Sequence, residues 1–132
     1  MAANPDLERA IAAFNRADYF AAAEMFENSL HAIDDAELKA VANALNQIAA
    51  GLHLRFERGG RQASINLMSQ AMVVLDDLKP ARAGIDTERL YDEVSALVAE
   101  IRAAPRDERD GLKHRARIFL ERRRAPRINR AK

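Results

Sequence analysis

Glu24 and Glu27 stand three residues apart in the stretch FNRADYFAAAEMFENSL, Phe14 to Leu30, and His31 follows directly. Carboxylates and an imidazole at such spacing can bind a divalent metal or exchange a proton. His53 is the second imidazole within reach of this idea, so a small metal-dependent enzyme would draw on Glu24, Glu27 and His53. The helical period sets the geometry. With Glu24 at 0°, Glu27 lies at about −60° and His31 at about −20°, whereas Tyr19, Ala22, Ala23, Phe26 and Leu30 centre at about 220°. The acidic face is therefore turned away from the apolar one. Metal sites in helix bundles face inward and take ligands from several helices. A solvated face with a Glu27–His31 pair needs no such assembly.

Other chemistry finds little support. The chain has no Cys, which removes disulfides, thiol nucleophiles and Cys-ligated metals. It has no Ser nucleophile motif, no P-loop and no glycine-rich dinucleotide turn after a strand. Gln47 and His53 lie about 120° apart around a helix and share no face. Together with Asn15 they read as structural polar residues. Gly59-Gly60-Arg61 could hold an anion before a helix, but reads first as a helix stop. No catalytic residue, resident metal or cofactor is assigned.

The elements that would position these groups are all helical. Hydrophobic residues make up 48% and charged residues 31% of the 132, while aromatics are 5%, Trp is absent and Ala is abundant. That balance favours a globular all-α fold built on close helix approach. Asn4-Pro5 opens a first helix with Leu7, Ile11 and Phe14. Asn15 to Asp18 forms a joint, with Asn15 in the left-handed conformation that ends a helix. Asp18 caps the second helix. Asp34-Asp35 precedes a third, whose seam is Leu38, Val41, Leu45, Ile48 and Leu52. A fourth carries Ile65, Met68, Met72, Leu75 and Leu78 and stops at Lys79-Pro80. After a short linker, Ala81 to Ile85, Asp86 or Thr87 caps a fifth with Leu90, Val94, Leu97, Val98 and Ile101. Asp107 can start a sixth holding Leu112, Ala116, Phe119 and Leu120. From Arg122 onward, RRRAPRINRAK reads as ragged or disordered.

Charge divides the chain. Residues 1–105 hold ten Lys and Arg against sixteen Asp and Glu, whereas residues 106–132 hold eleven against four. This predicts a helical bundle domain over 1–105 and a basic C-terminal helix and tail over 106–132. A basic amphipathic helix can meet an acidic protein groove, phosphates or an anionic membrane. Alternatively, Phe119 and Leu120 dock on the acidic body and the arginines pair with its carboxylates. Lys113, Arg115, Arg117, Phe119, Arg122, Arg123 and Arg124 are the candidate partner-binding residues.

Three blocks carry a resemblance: FNRADYFAAAEMFENSL, LNQIAAGLHLRFERGGRQAS and LDDLKPARAGIDTERL. They are similar to the small all-helical bacterial proteins of domain-of-unknown-function family 309, with its H-E-x-x-E signature. Phe14, Asn15, Tyr19, Phe20, Glu24 and Glu27 match the first block. Gln47, His53 and Gly59 match the second, with a shifted His-to-Gly spacing, and Gly84, Ile85 and Asp86 the third. The signature is degenerate here: Ala23 stands at its His, Gly60 at its Asn, and Ala63-Ser64 at a later Gly-Ala pair. The resemblance implies the fold and assigns no activity. A weaker likeness to tetratricopeptide helix hairpins lies in Tyr19, Ala22, Phe26, Ser29 and Leu30. Its second occurrence is offset by about 41 residues rather than about 34, which points to convergent packing.

The sequence thus predicts a compact bundle of about five helices plus a basic C-terminal helix and tail. Its expected function is a non-enzymatic protein-interaction or scaffold module. RNA or ribosome association through the tail is the first alternative, and the metal-dependent enzyme the second. A protein partner and a homodimer are expected, a membrane partner is not. No secretory leader or membrane-spanning run is apparent, so the expected location is cytoplasmic.

Overall fold

A computed structural model describes residues 4–105 and 111–131. The described residues form six helices: α1 (Pro5–Asn15), α2 (Tyr19–Leu30), α3 (Ala36–Arg58), α4 (Gln62–Asp77), α5 (Thr87–Ala103) and α6 (Leu112–Arg123). The fold is all-α. The predicted start of the last helix at Asp107 lies outside the described residues.

The helix ends follow from side-chain chemistry. The Asn4 side chain accepts from the backbone N–H groups of Asp6 and Leu7, each at 3.1 Å, with Pro5 in the first turn. Asp35 accepts from Glu37 at 2.8 Å, and Asp86 from Arg89 at 3.0 Å. Gly59 ends α3 at φ 66°, where a side chain would be strained, and Gly60 N–H reaches back to the Leu54 carbonyl at 2.8 Å. The stop at Gly59-Gly60 is as predicted. The joint after α1 is not. Asn15 stays helical, and Ala17 takes the left-handed conformation at φ 67°.

Main interfaces join sequence neighbours: α1 with α2, α2 with α3, α3 with α4, and α4 with α5. Phe14, Phe26, Leu45, Ile48, Leu52, Met68, Leu75, Leu90 and Ile101 fill the core between them. At the α3–α4 crossing Gly51 admits the neighbouring helix. A Cβ there would stand 2.9 Å from Met68 Cγ and 3.2 Å from the Ser64 carbonyl oxygen. Ser64 in turn donates to the Gly51 carbonyl at 2.8 Å. Residues 82–85, expected as a linker, make a tight turn with Ala83 and Gly84 both at positive φ and Ile85 fully buried. The helix α6 returns to pack on α3.

Candidate functional site

The acidic face of α2 lies where the helical period put it. Glu24, Glu27 and His31 are exposed. His53, half-buried on α3, packs its ring against Phe20 with centroids 5.2 Å apart. Gln47 donates to the Gln70 side chain at 3.2 Å. Among the described residues no three His, Asp or Glu side chains gather as metal ligands. Ala23 is half-buried against the core, at the rim of the apolar stripe. At the Gly59-Gly60-Arg61 stop the Arg61 side chain is turned to backbone. The Arg61 guanidinium donates to the carbonyls of Ile101, Arg102 and Ala104, at 2.7 to 2.9 Å. It thereby satisfies the free carbonyls at the end of α5, where a cation also suits the helix dipole.

The C-terminal segment departs furthest from expectation. Leu112, Ala116, Phe119 and Leu120 share one face of α6, as predicted, but that face points outward. Leu112 is 84% exposed, Phe119 61% and Leu120 47%. The inward face carries His114, Arg117, Ile118 and Glu121 instead. The reason is an ion pair. Arg55, in the last turns of α3, donates through Nε to Glu121 Oε1 at 2.7 Å and through Nη2 to Oε2 at 2.8 Å. The two side chains are 3% and 0% exposed. A buried guanidinium must find a carboxylate, and a two-bond match fixes the rotation of α6 about its axis. Phe119 and Leu120 therefore do not dock on the body.

Beyond α6 the chain is ordered rather than ragged. Residues 125–131 form an extended strap from the end of α1 to the start of α5. The Asn15 amide grips the main chain of Ile128 on both sides: Nδ2 donates to its carbonyl and Oδ1 accepts from its N–H, each at 2.9 Å. Ile128 itself joins the core. Asp86 N–H donates to the Asn129 carbonyl at 2.9 Å, and Ala131 N–H to the Gly84 carbonyl at 3.0 Å. Glu93 accepts from Arg127 N–H at 3.0 Å, and Arg130 pairs with Glu8. Side-chain periodicity carries no sign of such main-chain pairing.

Several tail arginines are committed to the body. Arg122 pairs with Glu57 at 2.9 Å and lies over the Phe56 ring. Arg124 pairs with Glu100 at 3.6 Å. Arg117 is also engaged. Lys113, Arg115 and Arg123 stay exposed beside the outward apolar face, with the Arg123 guanidinium 6.0 Å from the Phe119 ring centroid. Beneath the tail sits Tyr19, packed edge-on against Phe14 at 5.4 Å. Burial pushes the Tyr19 phenol above its ordinary value, while Arg122 and Arg127 pull it back.

No helix of the described residues is long and apolar enough to cross a membrane. Comparison with protein-family models, curated proteins and solved structures finds no match to this chain.

Proposed function

We propose that the protein is a non-enzymatic interaction module that presents α6 to a protein partner. One observation carries this reading: α6 directs Leu112, Phe119 and Leu120 outward while it buries Glu121. Leu112, Phe119 and Leu120 are exposed hydrophobics on one 12-residue helix. Lys113, Arg115 and Arg123 rim them with positive charge. Exposed apolar surface with a polar rim is the usual composition of a docking face. An acidic partner groove with apolar pockets complements both features. A second copy of the chain, with its acidic body, is one such partner.

The test is capture by the immobilised full-length protein, compared with a Leu112→Glu/Phe119→Glu variant. Bound proteins should be lost from the variant, whose fold these exposed positions do not support. Equal retention by both would sink the reading. A second reading, RNA association, is favoured only by the three exposed cations of α6. It predicts that a Lys113→Ala/Arg115→Ala/Arg123→Ala variant loses affinity for a single-stranded oligonucleotide and flattens its salt dependence. An unchanged slope would remove it.

A further inference from the structure

The strap is bound the way a separate peptide would be bound, and its features divide into three kinds. The Asn15 side chain bonds the main chain of Ile128 through both of its amide atoms. The turn at 84–86 adds two main-chain hydrogen bonds to residues 129 and 131, in the manner of strand addition. These contacts demand an extended backbone and no particular sequence. Selectivity comes from the side chains. Ile128 enters the core as an apolar anchor, 4% exposed, and Pro126 two residues before it is also buried. On either side Arg127 donates to the Asn15 carbonyl at 3.0 Å, and Arg130 pairs with Glu8. Glu93, itself paired with Arg89 at 2.9 Å, holds the Arg127 N–H.

We propose that the ends of α1 and α5 form a cradle for an extended basic peptide of pattern Arg-Ile-x-Arg. The chain's own residues 127–130 are its resident ligand, and a partner protein's segment of the same pattern displaces them. The ligand class follows from the contacts: an extended main chain for Asn15 and the 84–86 turn, an apolar side chain for the core with a buried proline before it, and flanking guanidinium groups for the Asn15 carbonyl and Glu8. The cradle is separate from the outward face of α6 and stands whether or not that face binds a partner. Displacement need not disturb α6, which Arg55 holds independently through Glu121.

The probe is a labelled, end-blocked Ala-Pro-Arg-Ile-Asn-Arg-Ala peptide, titrated by fluorescence anisotropy against two full-length proteins. One is wild type. The other, Ile128→Asp/Arg130→Glu, lacks the anchor and repels Glu8. In wild type the resident strap competes at an effective concentration on the order of millimolar. The released variant should therefore bind the peptide at least about 10-fold more tightly than wild type. A scrambled peptide of equal charge, or a further Asn15→Ala change, should cost at least about 10-fold. Equal binding of native and scrambled peptides, or none by a released variant with native helix content, overturns the proposal. A wild-type dimer that free peptide dissociates would hand the cradle to a second copy and overturn the partner reading. If the released variant does not fold, amide hydrogen exchange on wild type decides. The Ile128, Asp86 and Ala131 amides should exchange faster than the interior of α3, reporting local opening. Equal exchange would mean the strap leaves only on global unfolding, and the cradle could not accept another peptide.

Discussion

The helices α3 and α6 treat their large apolar side chains in opposite ways. The seam of α3 points inward, with Val41, Leu45, Ile48 and Leu52 fully buried. The seam of α6 points outward, and its deepest residue is Glu121. The difference teaches that periodicity locates a helix face without saying where the face looks. Orientation is decided by what the neighbouring surface offers. Most of α3 meets apolar helices, but its end offers α6 the guanidinium of Arg55. There the buried guanidinium is matched by Glu121, and Leu112, Phe119 and Leu120 are left facing out.

The sharpest way to break this contrast is to remove the group that creates it. Glu121→Ala leaves Arg55 buried without its partner, and should destabilise the fold by about 3–5 kcal/mol in urea titrations. Arg55→Met/Glu121→Leu, which removes both charges, should recover most of that loss. A double variant no better than the single one would show that the carboxylate does not set the orientation of α6. On the α3 side, Gly51→Ala tests whether close approach governs packing. Overpacking costs about 1–3 kcal/mol and the gain in helix propensity returns about 1. A net loss of about 1 kcal/mol in the same titration is expected. An unchanged midpoint would mean the α3–α4 contact is looser than the 2.9 Å approach implies.

Tyr19 reports on the layer between core and tail. Its folded pKa lies above the unfolded value of 10.0 because burial disfavours the phenolate. The unfolded chain therefore loses its proton first, and stability should begin to fall as pH rises past 10.0. The decline continues until the folded-state pKa is passed. Absorbance titration of tyrosinate in wild type and Tyr19→Phe would isolate the contribution; a titration at the ordinary value would place Tyr19 in water. The smallest effect is expected on the outer face of α6. Leu112→Glu/Phe119→Glu should change stability by no more than about 0.5 kcal/mol by thermal melt. A large loss would mean these residues are covered after all.

What could be read from the sequence was what depends on local chemistry. Asn4-Pro5, Asp35, Gly59-Gly60 and Asp86 act through groups within a few residues, and each marks a helix end as expected. The seams of α3 to α5 were legible because a run of apolar residues at one period has one good environment. The exposed carboxylates of α2 were legible for the same reason: helix geometry turned them from the apolar stripe. The grip of Asn15 on Ile128 spans 113 residues and uses the main chain of the latter, so no side-chain pattern announces it. Arg61 was hidden because its partners are the carbonyls at the far end of α5. The pairing of Arg55 with Glu121 joins two ordinary residues whose special character is burial alone.

That pairing also imposes an order of events on synthesis. Arg55 leaves the ribosome 66 residues before the carboxylate that will neutralise it. At about 5–20 residues per second this delay is about 3–13 s. Throughout it the end of α3 carries a cation that can be sealed from water only at a cost in desolvation. The corner between α3 and α6 can therefore close favourably only once α6 has been made.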